Sequence, residues 1–201
     1  AIPVGDNALQ LRISGNYPWQ EQVKIEITSP VPVTHTLALR LPDWCAEPAV
    51  SLNGEAITGE VSRGYLYLSR CWQEGDTLTL TLPMPVRRVY GNPQVRQQAG
   101  KVALQRGPLV YCLEEADNGA NLHNLSLPRD SEFRVYEGKG IFAHKMLIQT
   151  EGIGCHMKET DALWQYDRSP VLRQPRTLTF IPWFSWANRG EGEMRIWVDE
   201  G

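Results

Sequence analysis

Four cysteines and four histidines are the residues of this chain best able to hold a metal ion or to attack an electrophile, and their spacing argues against both uses. Cys45, Cys71, Cys112 and Cys155 are unevenly scattered, with no C-x-x-C pair to grip zinc or run thiol exchange. His35, His123, His144 and His156 are dispersed as well; only Cys155 and His156 adjoin, with Glu159 next at a three-residue spacing. Neighbours on a strand point to opposite faces, so a structural zinc would have to gather its ligands from distant loops. The cysteines are expected as reduced thiols packed like small hydrophobes in a reducing cytoplasm, with a Cys45 to Cys71 bridge as the alternative.

Acid and base chemistry is no better placed. A pair of carboxylates can hydrolyse a glycoside when held about 5–10 Å apart across a cleft, but the 23 acidic residues offer no means of choosing such a pair. Glu114, Glu115 and Asp117 cluster, and three like charges so close together read as a solvated loop. Gly138-Lys139-Gly140-Ile141-Phe142-Ala143 fits the dinucleotide pattern G-x-G-x-x-A, with Glu159 and Asp161 roughly twenty residues on. That chemistry needs a helix N-terminus facing the pyrophosphate, whereas residues 141 to 148 read as extended, so a plain turn is expected. Asn124-Leu125-Ser126 is formally a glycosylation acceptor, without meaning unless the chain is secreted.

The aromatic residues are more suggestive. Tyr17-Pro18-Trp19 and Trp183-Phe184-Ser185-Trp186 fall in expected turns, where rigid rings can stack on a sugar or on another domain. Core and interdomain packing account for most of the seven tryptophans of a small β protein, and Trp19, Trp183 and Trp186 are the candidates for sugar contact.

The elements that would position these residues are strands. Val23, Ile25 and Ile27 alternate with polar residues, as do Leu37, Leu39 and Leu41 before Pro42. Val50 and Leu52 run into Asn53-Gly54, a tight-hairpin signal; Tyr65 to Leu68 and Leu78, Leu80 and Leu82 follow. Pro83, Pro85, Gly91, Asn92, Pro93 and Gly100 mark a crossover, which divides the chain into domains 1–96 and 97–201. Beyond it, strands are predicted at Val102 to Gln105, Leu109 to Leu113, Phe133 to Tyr136, Lys145 to Gln149, Thr177 to Ile181 and Met194 to Val198. A polar loop is expected from Glu114 to Asn124, and an irregular connection over 155–175, which holds Leu163, Trp164 and Tyr166. The prediction is an all-β fold of two consecutive β-sandwich, jelly-roll-like domains.

The composition of the 201 residues agrees: 42% are hydrophobic, 21% are charged, and 17 glycines with 14 prolines call for many turns. Twenty basic against 23 acidic residues provide no cationic field for nucleic acid or anionic lipid. No apolar run of about 18 residues could cross a bilayer, so no membrane partner is expected. Ala1 to Gln10 lack the pattern of a secretion signal, and the missing initiator Met suggests a piece of something longer, or processing.

An ordered series of motifs gives a more specific reading. Asn16-Tyr17-Pro18-Trp19, Leu39-Arg40-Leu41-Pro42-Asp43-Trp44, Leu52-Asn53-Gly54, Gly64-Tyr65, Trp72 to Asp76 and Leu82-Pro83-Met84 precede Val102 to Tyr111 (VALQRGPLVY) and Ile181 to Gly190 (IPWFSWANRG). Together they resemble the C-terminal half of glycoside hydrolase family 127, the β-L-arabinofuranosidase family, over nearly the whole chain. The resemblance implies a parent with a helical (α/α)6 catalytic barrel followed by two β-sandwiches, of which only the sandwiches are present. It also implies that the family's zinc-bound cysteine nucleophile, with its Glu-x-Cys element and adjacent Cys-Cys pair, belongs to the barrel. Here no cysteines adjoin, and the residues two before them are Asp43, Ser69, Val110 and Ile153, so no catalytic residue and no cofactor are assigned to this chain.

The expectation is a non-catalytic region that braces the missing catalytic domain and supports homodimerisation, with no turnover of its own. The alternatives are a carbohydrate-binding module that uses the exposed tryptophans, and a docking domain for an unrelated protein.

Overall fold

The structure, a computed structural model, describes residues 2–4, 7–156 and 172–201. It divides into two compact units, Ala1–Pro85 and Val86–Gly201. The division falls earlier than 96/97 because residues 86–89, read from sequence as part of the crossover, form a strand that pairs with Lys101–Arg106.

In the first unit the strands are β1 (Ile2–Val4), β2 (Asn7–Leu9), β3 (Leu11–Gly15), β4 (Gln22–Ile27), β5 (Val33–Arg40), β6 (Ala49–Leu52), β7 (Glu55–Ala56), β8 (Glu60–Ser62), β9 (Tyr65–Trp72) and β10 (Thr77–Thr81). β1 and β2 form a hairpin, a five-stranded sheet runs β3-β4-β10-β6-β7, and a three-stranded sheet runs β5-β9-β8. One core joins the two sheets: Ile25, Ile27, Leu78 and Leu80 from the larger pack with Val33, Leu39, Leu66, Leu68 and Trp72 from the smaller. The two-residue alternation read from sequence is what sends these side chains to a shared interior.

Turn chemistry fixes the register. Asn53 and Gly54 both take positive φ, 50° and 88°, as the tight β6–β7 hairpin requires. Asn53 does more than turn the chain. Its Oδ1 accepts the Thr77 N–H at 2.9 Å, while its Nδ2 donates to Asp76 Oδ1 at 2.9 Å. Asp76 Oδ2 accepts the Gln73 N–H at 3.0 Å, so the Leu52-Asn53-Gly54 and Trp72 to Asp76 motifs lock each other. Arg40 does the same for another pair of motifs, donating from Nη1 to the Gly64 carbonyl at 2.8 Å and lying over the Tyr65 ring. Trp72 is fully buried, and its indole N–H donates to the His35 carbonyl at 2.9 Å.

The second unit contains β11 (Val86–Val89), β12 (Lys101–Arg106), β13 (Leu109–Glu114), β14 (Leu125–Leu127), β15 (Arg134–Glu137), β16 (Met146–His156), β17 (Leu172–Pro182), β18 (Met194–Arg195) and β19 (Val198–Glu200). β12 pairs with β13 and with β19, and the pairings continue β19-β14-β16-β17-β13, so the hydrogen-bonded path returns on itself. Val102, Leu104, Tyr111, Leu113, Ile148, Leu178 and Phe180 form its main core. On the other face of β13, Cys112 packs with Phe142, Leu147 and Ile181.

Several sequence expectations need revision here. The irregular connection expected over 155–175 is strand at both ends, since β16 runs to His156 and β17 begins at Leu172 with Pro175 opposite Ile153. Leu163, Trp164, Tyr166, Glu159 and Asp161 lie outside the described residues. The single strand expected at Met194 to Val198 is two, because β18 pairs with β13 whereas β19 pairs with β12 and β14. Arg195 folds back across the break, donating to the Trp197 carbonyl at 2.8 Å and to Asp199 Oδ2 at 3.1 Å. Residues Gly140–Phe142 form a single 3-10 turn, the plain turn expected of that motif, but the extended run expected over 141 to 148 begins only at Met146. All four cysteines are free thiols, with Cys45 and Cys112 buried and Cys71 exposed.

Hydrogen bonding from the Gln73 amide, opposed by desolvation and reinforced by Asn53 and Arg70, holds the Asp76 carboxyl below its usual range. A carboxyl depressed on folding stabilises the protein above its unfolded pKa of about 3.9, and that contribution is lost as pH falls through the lower folded value. Asp76→Ala should therefore cost about 1 kcal/mol at pH 7, a figure already reduced for solvent screening. Denaturant unfolding measured at descending pH should show the gap between variant and parent closing below about pH 4.

Candidate functional site

The segment expected to be a solvated acidic loop is in fact the most heavily bonded polar region of the second unit. Glu114 ends β13 almost fully buried, and residues Glu115–Asn118 make one helical turn. Arg189, contributed by the connector after β17, reaches back over this turn. Its Nε donates to Glu114 Oε2 at 3.0 Å, its Nη1 donates to Asp117 Oδ1 at 2.7 Å, and its Nη2 lies between both carboxylates. The guanidinium also sits 4.8 Å from the centre of the Phe142 ring. The other oxygen of Glu114 accepts the Ala187 N–H at 2.9 Å. Two carboxylates and one guanidinium, with the ring as a wall, make a closed charge cluster whose polar atoms are spent on one another.

Neighbouring bonds complete the frame. Asn118 is buried and donates to the carbonyls of Glu114 and Thr179 at 3.0 and 2.9 Å while accepting the Thr179 N–H at 2.9 Å. Glu115 Oε2 accepts the Glu193 N–H at 2.8 Å, and Glu193 Oε2 accepts the Leu122 N–H at 2.7 Å. Sequence reasoning missed these partnerships because about 70 residues separate the acids from Arg189 and Glu193, and no local pattern marks a pairing at that range.

The clamp fixes a ledge of aromatic residues. Pro182 ends β17, and Trp183–Ser185 form a 3-10 turn in which Ser185 points inward. Trp183, Phe184 and Trp186 are 47%, 55% and 39% exposed. The ledge is bounded by the last strand residue on one side and by Ala187 and Arg189 on the other. Trp19 is half-buried in a turn of the first unit, where its N–H donates to the Asn16 carbonyl at 2.7 Å. The three tryptophans singled out from sequence thus belong to two different units, and within the second unit Trp183 and Trp186 share the ledge.

The described residues do not gather the ligands of a metal-bound thiolate. Among the described residues no three His, Cys, Asp or Glu side chains converge on one point. Cys112 has acidic neighbours, but burial, and then the charges of Glu114 and Asp117, push its thiol up to about 12. It stays protonated at neutral pH, whereas metal ligation and nucleophilic attack both need the thiolate. Tyr111 is likewise raised to about 12 by burial, and its hydroxyl donates to the Met146 carbonyl at 2.9 Å. Both groups serve packing.

Residues 2–84 match the model of the β-L-arabinofuranosidase GH127 middle domain, and residues 86–199 match that of the glycoside hydrolase family 127 C-terminal domain. The chain belongs to glycoside hydrolase family 127. Among family members, it is 33% identical over 200 residues to a non-reducing end β-L-arabinofuranosidase of Bifidobacterium longum subsp. longum, covering 94% of this chain and 30% of that one. A crystal structure of a GH127 β-L-arabinofuranosidase from Geobacillus stearothermophilus T6 superposes with a TM-score of 0.92 at 38% identity, covering 100% of this chain and 32% of that one. A GH127 β-arabinofuranosidase structure gives 0.83 at 30% identity, with 95% and 31% covered. The chain therefore spans less than a third of the length of these relatives. The GH127 match confirms the resemblance drawn from the motifs, and the geometry shows what several of those motif residues do: Asn53, Asp76, Arg40 and Arg189 tie turns together.

Removal of the Arg189 charge would strand a buried carboxylate. Arg189→Met should destabilise the chain by about 2–3 kcal/mol, below the usual cost of breaking a buried pair because the guanidinium keeps some solvent contact. Adding Glu114→Gln should recover part of the loss. Denaturant midpoints would measure both, and tryptophan emission should shift red in Arg189→Met as Trp183 and Trp186 lose their fixed setting.

Proposed function

We propose that this chain is the non-catalytic β-sandwich portion of a β-L-arabinofuranosidase of GH127, and that it braces a catalytic region lying in the remaining two-thirds of the family's length. The observation that carries the reading is coverage: the middle and C-terminal family models take up residues 2–84 and 86–199, while the chain spans 30% of the Bifidobacterium enzyme. The protonated state of the buried Cys112 thiol supports placing a reactive thiolate outside this chain.

The aromatic ledge supports the bracing role. Trp183, Phe184 and Trp186 expose large apolar area, and the Arg189 clamp holds their turn in one conformation before any partner arrives. Such preorganisation lowers the entropy lost on association. The catalytic region is the partner assigned to it. The free thiols fit a reducing compartment, the cytoplasm, and no helix among the described residues is long and apolar enough to cross a membrane.

Kinetic comparison tests the assignment. The chain 1–201 alone should release no p-nitrophenol from an aryl β-L-arabinofuranoside, whereas the full-length polypeptide that contains it should turn the substrate over. Hydrolysis by 1–201 at rates approaching the full-length enzyme would overturn the proposal. In the full-length polypeptide, Trp183→Ala with Trp186→Ala should lower thermal stability and activity together; unchanged values for both would remove the ledge from the interface.

A further inference from the structure

A groove of about 470 Å³ lies on the second unit, away from the residues discussed above, with Tyr90, Gln98, Lys101, Arg129 and Glu200 along its walls. Its size is in the range of small-molecule sites. The loop that shapes it, between β11 and β12, is internally bonded: Val95 N–H donates to the Asn92 carbonyl at 2.8 Å, Gln98 N–H to the Val95 carbonyl at 3.0 Å, and Glu200 N–H to the Gly100 carbonyl at 2.8 Å. Gly91 allows this folding, because a Cβ there would sit 2.6 Å from Cβ of Gln98.

Within the groove, Glu200 is nearly buried and fully engaged. It accepts the Tyr90 hydroxyl at 2.7 Å and pairs with Arg129 Nε at 2.9 Å, with Arg88 Nη1 at 3.6 Å behind it. The Tyr90 ring is thereby anchored at its hydroxyl end while the residue stays 56% exposed. Lys101 Nζ donates to the Gln97 carbonyl at 2.9 Å, which leaves two further donor hydrogens on the ammonium. Gln98 Oε1 is buried and has no hydrogen-bond partner among the described residues. The lining therefore combines an aromatic face with donors from Lys101 and Arg129.

That set matches one ligand chemistry. A saccharide ring has an apolar C–H face for a fixed aromatic ring, and vicinal hydroxyls that both donate and accept. A simple anion has no use for the ring. We infer that the groove between the β11–β12 loop and the end of β19 is a non-catalytic saccharide-binding site, with Tyr90 as its platform and Lys101 and Arg129 as hydroxyl contacts. The site is separate from the aromatic ledge and does not depend on the ledge's role in bracing.

The test is saturation-transfer NMR and calorimetry on the chain 1–201 with arabinotriose, with trigalacturonate, and with sulfate as the anion control. Saturable binding of either trisaccharide with Kd of about 10 mM or tighter is expected, the two arms deciding whether the sugar is neutral or acidic. Tyr90→Ala should weaken it about tenfold or more, Tyr90→Phe should retain most of it, and Lys101→Met should weaken it severalfold, all with unfolding midpoints near that of the parent. If Tyr90→Ala unfolds, the Tyr90→Phe and Lys101→Met pair carries the comparison. No saturable response to either sugar, a response to sulfate alone, or sugar affinity unchanged in both Tyr90→Ala and Lys101→Met would overturn the inference.

Discussion

One guanidinium sets the form of the second unit's aromatic ledge. Arg189 neutralises the buried carboxylate that ends β13, and without it the strand could not carry Glu114 into the interior at acceptable cost. Its position follows from the burial of β13, whose residues Tyr111 to Glu114 are inaccessible on both faces. Once Arg189 is drawn in, the chain before it has to follow. The aromatic turn at 183–186 is thus placed by an electrostatic requirement some distance from the rings themselves.

The same logic, in a smaller and wetter setting, governs the first unit. Asn53 and Asp76 satisfy each other and two backbone amides, so each hairpin turn fixes the geometry of the other. Family signatures are often taken for catalytic fingerprints. In this chain, side chains from several of them serve as turn locks.

Much of the fold was legible because strand formation leaves a local mark. Val23, Ile25 and Ile27, or Leu78 and Leu80, alternate with polar residues, and their shared face can be read without a structure. β11 escaped notice because Val86–Val89 carries arginines at its centre and lies among prolines, so it shows neither alternation nor an apolar run. The break at Ile196 was hidden because alternation is continuous across it, and only the change of pairing partner creates it. The candidate sites were the least legible part. Glu114, Glu115 and Asp117 looked like repelling surface charges, and Tyr90, Lys101 and Glu200 carry no pattern at all; proximity in both cases comes from tertiary pairing.

The self-returning ladder of the second unit has a bearing on aggregation. Sheets are vulnerable where a long, flat outer strand offers unpaired amides to another chain. Here β11 and β15 hold four residues each and β18 two, but β17 meets β13 only over Phe180–Pro182, so among the described residues its stretch 172–179 has a strand partner on one side only. Arg87, Arg88, Arg134 and Glu137 add charge to those margins. On the outer stretch of β17, Arg173, Pro175 and Arg176 are the residues that oppose strand addition of the amyloid type.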